Sequence, residues 1–288
     1  MNKTSSSNSQ ASTDRTIDWQ GHRGARGLLP ENTIPAFIKA LEYPQVTTLE
    51  LDLAVSKDSQ LIVSHEPWMS AGICSKPDGS PVTKKEEKSL RLYEMTYEEI
   101  KTYDCGSRGN KRFPDQQPMQ VYKPSFMDMV SNVELHCQKN KLPRPKYNIE
   151  IKSEPEGYGT MVPHPERFVQ LVLDEIDLLN IKDRVNLQSF DINVLREIKK
   201  QDSTMVIAHL VENIKGFEAN VRKLGFEADI YSPHYGLLNK SQIKKIHERG
   251  MLIIPWTVND PKTMAKLIEK GVDGIITDYP NMIEEALK

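Results

Sequence analysis

Cysteine is scarce in this chain. Cys74, Cys105 and Cys137 are its three cysteines, too few and too scattered for a disulfide framework or a zinc cluster. An oxidising compartment would let Cys74 and Cys105 pair; by default all three read as free thiols. Long hydrophobic runs are missing too. The longest, such as MLIIPW at 251–256, fall far short of the roughly 20 apolar residues that cross a bilayer. Neither charge is in excess: 38 basic and 40 acidic side chains leave a net charge of −2. Composition therefore gives no case for nucleic acid or an anionic membrane surface as partner. The first sixteen residues, MNKTSSSNSQASTDRT, hold no apolar stretch. They read as a disordered polar lead that lacks the apolar segment of a signal peptide. A serine-rich lead suits periplasmic or secreted use, whereas the absent signal and unpaired thiols suit the cytoplasm, so both compartments stay open.

What is present is ample for folding: 38% of 288 residues are apolar, enough for one large core or two ordinary ones. From Ile17 onward, β-rich runs occur at 17–24, 47–55, 60–66, 146–152, 184–190, 204–210, 228–233, 252–258 and 273–279. Amphipathic helical patterns lie between most of them, at 33–43, 165–180, 191–201, 212–225, 239–249, 260–270 and 280–288. Alternating β and α units imply a parallel sheet. Nine runs are one too many for a (β/α)8 barrel. The runs 47–55 and 60–66 are separated only by SKDS, long enough for a hairpin but not for a parallel crossover. The remaining eight fit a TIM barrel. A doubly wound open sheet is the weaker alternative, because no Gly-rich dinucleotide turn follows the first strand. Residues 67–121 break the rhythm with polar stretches around a short helical pattern, TYEEIKTYD. They read as an insertion over one end of a single barrel domain spanning 17–288, too small and too polar for a core of its own.

Side chains alternate between the two faces of a barrel strand. In LELDL, Leu49, Leu51 and Leu53 form the packing face, so Glu50 and Asp52 point together into the barrel. In YNIEIK, Ile149 and Ile151 face outward, and Glu150 and Lys152 face in. One such pair would be an ordinary polar strand face, salt-bridged to Arg23 or Lys152. Two of them in one barrel favour a hard divalent cation, Mg²⁺ or Ca²⁺, which relieves the repulsion among converging carboxylates.

His22 and His65 end two strands and together offer one base and one acid, the pair that ester hydrolysis requires. Arg23 can fork onto phosphate or carboxylate oxygens and Lys152 adds a point charge, so the substrate is expected to be an anion such as a phosphodiester. Gly21, Gly24 and Gly27 allow the chain to turn tightly around this group. In the following PENT, Asn32 or Thr33 caps a helix with Pro35 in its first turn, and Glu31 and Asn32 are candidates to hold the histidine or the metal ligands in place. Trp256 would form an apolar wall at the barrel mouth. His234 and Tyr235 lie on another loop of the same rim, with His234 a candidate third polar contact.

Taken together, GHRGARGLLPENT, ELDL, IVSHEP, NIEIK, LQSFD, PWTVND and DGIITDYP resemble the glycerophosphodiester phosphodiesterase family over about residues 18–282. The resemblance implies a distorted TIM barrel with a small insertion after the hairpin. It also implies hydrolysis of glycerophosphodiesters such as glycerophosphocholine to glycerol 3-phosphate and an alcohol, within lipid and glycerol metabolism. His22 and His65 match the family's acid-base pair, and Glu50, Asp52 and Glu150 its divalent-cation ligands. Arg23 and Lys152 match its phosphate-binding positions, and Trp256 an aromatic against the glycerol. One departure is visible: where the family often has His-Asp, this chain has His65-Glu66. These residues fit both attack by water and attack by the substrate's own hydroxyl through a cyclic phosphate. Two other readings stand beside this one. A lysophospholipid phosphodiesterase would need an acyl groove, for which Trp68, Met69 and Ile73 are candidates. The other is a barrel that binds phosphorylated ligands without turnover.

Overall fold

A computed structural model describes residues 16–288; the polar lead, up to residue 15, lies outside them. The strands are β1 Asp18–His22, β2 Val46–Val55, β3 Leu61–Val63, β4 Lys146–Ile151, β5 Val185–Ser189, β6 Val206–Val211, β7 Ile230–Pro233, β8 Leu252–Ile253 and β9 Gly274–Thr277. Their order is β8-β7-β6-β5-β4-β2-β1-β9, all parallel, with β3 antiparallel on β2. The four residues 56–59 close that hairpin, as their length requires: Ser56 N–H bonds to the Gln60 carbonyl at 3.0 Å. β8 is shorter than the expected 252–258 because Pro255 has no N–H to offer a neighbour. The barrel nonetheless closes nearly completely. Asp273 N–H donates to Ile253 O, Ile276 N–H to Pro255 O and Val258 N–H to Ile276 O, at 2.8, 3.0 and 2.9 Å.

The helices are α1 Ile34–Ala40, α2 Tyr97–Ile100, α3 Phe126–Asn140, α4 Pro165–Leu179, α5 Ile192–Gln201, α6 Phe217–Leu224, α7 Lys240–Glu248, α8 Pro261–Lys270 and α9 Ile283–Ala286. None is long and apolar enough to cross a membrane among the described residues. α3 is the helix that the alternation pattern missed. It opens on Ser125, whose Oγ accepts from Asp128 N–H, and stops at Lys141 in the left-handed conformation. Leu49, Leu51, Leu53, Ile149 and Ile151 are fully buried in the layer between sheet and helices, as the leucine and isoleucine spacing requires.

The barrel interior is divided by chemistry. Ala208, Ile230, Ile254 and Ile276 form an apolar cluster on one side, with Trp256 against it. On the other, Asn148 Nδ2 donates to Gln20 Oε1 and to Gln188 Oε1 at 2.7 and 3.2 Å. Such a buried amide network is tolerable because its members satisfy one another.

The insertion is better organised than its composition implied. Met69, Ile73, Cys74, Val82, Leu92, Ile100 and Cys105 join Ala54 and Ile62 of the hairpin in a separate apolar cluster. Cys74 and Cys105 are disulfide-bonded within it, so the default reading of free thiols is wrong for this pair. Folding of the insertion brings together residues 31 apart in sequence. Cys137 is free and buried on α3.

Candidate active site

Strand register brings the carboxylates together. In the parallel β2–β4 pair Asp52 stands opposite Glu150, and in β4–β5 Glu150 stands opposite Gln188. Neighbouring strands run about 4.8 Å apart, and Glu50 is two residues from Asp52 on the same face. Oxygens of Glu50, Asp52 and Glu150 consequently lie within 4.8 Å of one another, all three residues buried. β1 and β2 pair with His22 opposite Glu50, which adds the first histidine to the group.

The loop after β1 supplies the rest. Gly24 has φ +84°, and a Cβ there would come within 2.7 Å of the Ala36 carbonyl and Phe37 nitrogen; only glycine lets α1 approach so closely. Arg23 and Asn32 are also left-handed, at φ 51° and 57°, a conformation that costs energy and recurs at functional sites. It aims Arg23 N–H at Glu50 Oε2, 3.0 Å away. Asn32 Nδ2 donates to Asp52 Oδ2 at 2.8 Å, and Arg23 Nη1 donates to Glu31 Oε1 at 2.6 Å. Glu31 and Asn32 therefore hold the arginine and a carboxylate, and neither bonds a histidine. Thr33, not Asn32, caps α1, with Pro35 in its first turn.

Each histidine leans on a carboxylate through Nδ1. His22 lies 2.7 Å from Asp278 Oδ1, and His65 lies 3.0 Å from Glu66 Oε1. The carboxylate can only accept, so each Nδ1 is placed as the donor and each Nε2 is left for other work. His22 Nε2 is 3.8 Å from Glu50 Oε2. Lys152 Nζ lies 3.1 Å from His65 Nε2 and 2.8 Å from Glu150 Oε1. Both histidines, Glu50 and Glu150 line one cavity of about 180 Å³, closed by Phe190, Leu210 and Trp256. A groove of about 550 Å³ leads away from it past Trp68, Lys152, Met161 and Val162. A larger hollow of about 960 Å³ sits at the amino ends of the strands, lined by Asp18, Pro143 and Lys146 among others. That is the wrong end for catalysis in this architecture, and it holds none of this chemistry.

Electrostatics sharpen the arrangement. Burial, then the charges of Asp52 and Glu150, push Glu50 well above the usual carboxylate range. Burial also raises Glu150, with Asp52 adding to the shift against the opposing Lys152. Burial acts on Asp52 in the same sense, but Arg23, His65, Lys152 and the Asn32 hydrogen bond outweigh it and hold this carboxyl low. Burial, reinforced by Arg26, lowers His22 to about 4 against the opposing pull of Asp278. Glu66 is held at about 2: burial raises it, and the His65 hydrogen bond and charge overcome that. Hard oxygen donors so crowded and buried that Glu50 and Glu150 are both pushed toward protonation suit a divalent cation. Asp52 Oδ1, buried and without a hydrogen-bond partner, is the kind of atom such an ion would take up.

Sequence reasoning missed four contributors. Asp278 orients His22 and also receives Arg26 through Nε and Nη2 at 2.7 and 3.0 Å. Asn259 Nδ2 reaches its second oxygen at 2.7 Å. Gln188 Nε2 donates to Glu50 Oε1 at 2.8 Å. The signals for Asp278 were its place just past the last strand and its position within DGIITDYP. Among the rim candidates, Trp256 lines the cavity and donates Nε1–H to Ser232 O at 2.9 Å. His234 meets Trp256 edge to face at 5.6 Å, and neither His234 nor Tyr235 lines either space. Met69 and Ile73 are buried in the insertion's own cluster, so of the three acyl-groove candidates only Trp68 reaches the groove.

Comparison with known proteins agrees with this geometry. The sequence model of the glycerophosphoryl diester phosphodiesterase family matches residues 22–282. A glycerophosphodiester phosphodiesterase of Caldanaerobacter subterraneus is 29% identical over 91% of this chain and 94% of its own. A crystal structure from Silicibacter pomeroyi, provisionally assigned as a glycerophosphoryl diester phosphodiesterase, superposes with a TM-score of 0.83 at 25% identity, covering 95% of this chain and 94% of that one. A phosphodiesterase of Oleispira antarctica, whose structure is in complex with the product sn-glycerol 3-phosphate, shares the fold with a TM-score of 0.73 at 20% identity, over 94% and 97% of the two chains. With the family matched over nearly the whole folded chain, and with the barrel, the carboxylate group and the two histidines in one place, this chain belongs to the glycerophosphoryl diester phosphodiesterase family.

Proposed function

We propose that this chain hydrolyses glycerophosphodiesters to glycerol 3-phosphate and an alcohol, with a divalent cation and two histidines. One observation carries the reading: two histidines, Glu50 and Glu150 line a single small cavity at the carboxyl ends of the strands, with Asp52 grouped beside the two glutamates. The phosphodiesterase from Oleispira that shares this fold holds the corresponding product. Glu50, Asp52 and Glu150 would hold the cation, Mg²⁺ or Ca²⁺. When bound, such an ion draws charge from a phosphate oxygen and lowers the pKa of a ligated hydroxyl or water.

The chain's own groups do the remaining work. His22 and His65, each steadied through Nδ1, present Nε2 to the cavity; one takes the nucleophile's proton and the other returns a proton to the leaving alkoxide. Arg23 keeps guanidinium N–H groups beyond the one given to Glu31, and with Lys152 it meets the phosphate oxygens. Trp256 forms a wall against glycerol and excludes water on that side. The groove past Phe190 and Trp68 receives the departing alcohol. Because Met161 and Val162 add apolar surface there, a lysophospholipid phosphodiesterase is the second reading, separated by comparing lysophosphatidylcholine with glycerophosphocholine as substrate. The main test is release of glycerol 3-phosphate with and without chelator, in the parent and in His22→Ala and His65→Ala. The roles assigned here require a loss of about 10²–10⁴-fold in each variant; undiminished turnover in either would refute its role.

A further inference from the structure

The cavity with the two histidines is also reached from the insertion, by Arg112. Three arginines line this cavity, and two are already neutralised. Arg23 is bonded to Glu31 and lies 3.2 Å from Asp52, while Arg26 forks onto Asp278. No ion pair within 4.0 Å is found for Arg112 among the described residues. Its guanidinium lies over the Phe113 ring, 5.7 Å from the centroid, and Arg26 lies over the same ring at 4.7 Å. Phe113 is itself buried and meets Tyr279 edge to face at 6.2 Å. Two guanidiniums sharing one aromatic ring repel unless each has a counter-charge. Arg26 has Asp278; Arg112 is exposed and forms no ion pair with Glu50 or Glu150, the carboxylates that line the same cavity.

The segment carrying Arg112 is anchored at both ends. Cys105 is tied to Cys74, and Arg108 Nη1 donates to the carbonyls of Ala71 and Cys74 at 3.0 and 2.8 Å. At the other end, Gln116 Nε2 donates to Arg26 O at 2.7 Å and Gln117 N–H to Leu28 O at 2.8 Å. These bonds join the insertion to the loop that carries Arg23. A cation held over a catalytic cavity without a partner is matched to an anion that comes and goes.

We infer that Arg112 binds the phosphate of substrate and product directly, so that the insertion completes the active site. This inference rests on the phosphodiesterase reading above. Arg112 binds the dianionic phosphomonoester product more strongly than the monoanionic diester, because the product carries the greater negative charge.

The test uses the full chain with Arg112→Gln, Arg112→Lys and, as a control for the ring beneath it, Phe113→Leu. Three quantities are measured: KM and kcat for glycerophosphocholine, and the inhibition constant of glycerol 3-phosphate. Arg112→Gln is expected to raise KM about tenfold with kcat within about threefold, the pattern of lost uniform binding. It should weaken inhibition by glycerol 3-phosphate by more than it raises KM, and Arg112→Lys should recover part of both. KM and inhibition constants within twofold of the parent would overturn the inference. So would a variant that lowers kcat and melting temperature as Phe113→Leu does while inhibition stays constant. If the parent released no glycerol 3-phosphate, the phosphodiesterase reading would fail. Calorimetric binding of glycerol 3-phosphate to parent and Arg112→Gln would still decide the role of Arg112.

Discussion

Asp278, just past the last strand, and His22, at the end of the first, meet at 2.7 Å across the β9–β1 pairing. The contact joins the two ends of the barrel sequence at the point where the chemistry is placed. Asp278 fixes the proton of His22 on Nδ1 and leaves Nε2 facing the cavity.

Asp278→Asn should therefore cost more than a surface change. An amide can present its NH₂ to the imidazole and select the wrong tautomer, and it no longer neutralises Arg26. A fall in kcat of at least about 10²-fold is expected, since the comparable aspartate change in a serine protease triad costs about 10⁴-fold. Circular dichroism should show a folded protein. Activity within threefold of the parent would mean that His22 is oriented by something other than Asp278.

The carboxylate group predicts a response to metal that can be read without turnover. In the absence of cation, Glu50 is pushed toward its protonated form by burial and by Asp52 and Glu150, so ion binding should release protons and stabilise the fold. At a cation concentration about a hundred times Kd, the gain is about 2.7 kcal/mol, or roughly 5–10 °C in melting temperature for a chain of this size. Asp52→Asn should abolish that increment, because it weakens a ligand whose second oxygen is buried and lacks a hydrogen-bond partner. An equal shift in parent and variant would place the cation elsewhere.

The parts of the site carried by strand alternation were legible in advance. Glu50, Asp52 and Glu150 could be placed because leucines and isoleucines claimed the other face of each strand, which settled direction without coordinates. The hairpin followed from the four residues between β2 and β3. Contributors fixed by long-range closure were not legible. Asp278 acquires its role only when β9 pairs with β1, and Arg112 lies in a polar loop whose placement depends on the Cys74–Cys105 link and the Gln116 bonds. α3 carries a local signal, Ser125 three residues before Asp128, but it follows a stretch without periodicity that masks it. The polar half of the barrel interior was hidden for a different reason. Gln20, Asn148 and Gln188 look like ordinary polar strand positions until the barrel brings them into contact.

Gly24→Ala tests how tightly the site loop is drawn onto α1. The new Cβ would meet backbone atoms of Ala36 and Phe37 at 2.5–2.7 Å, which cannot swing away as a side chain would. The left-handed conformation alone costs about 1–3 kcal/mol, so a total loss on the order of 2–4 kcal/mol is expected in denaturant unfolding. Activity should fall as well, because Arg23 and His22 immediately precede the displaced residue. A stability change below about 0.5 kcal/mol would show that the loop relaxes freely.

Acid sensitivity has a contributor outside the site. His209 on β6 is buried against Tyr231, with ring centroids 6.2 Å apart. Burial, helped by the positive charge of Lys223, lowers it to about 4. In the unfolded chain it titrates near 6.5. Between those values the unfolded state binds more protons than the folded one, so stability increases with pH across this window. Stability is therefore fully retained above about pH 6.5 and is lost as pH falls toward 4, by on the order of 1–3 kcal/mol for this group. His209→Gln has no such proton to take up, and its unfolding free energy should decline less than the parent's between pH 7 and 4.5. Glu175 on α4 acts in the opposite sense. Burial raises it to about 7, so the folded state holds the extra proton between the ordinary carboxylate range and that value. Its contribution is present at low pH and declines as pH rises through 7. Glu175→Gln should accordingly gain on the parent at pH 8 and not at pH 4.5. Parallel pH dependences for parent and His209→Gln would assign the acid limb to other groups, the His22 pair first among them.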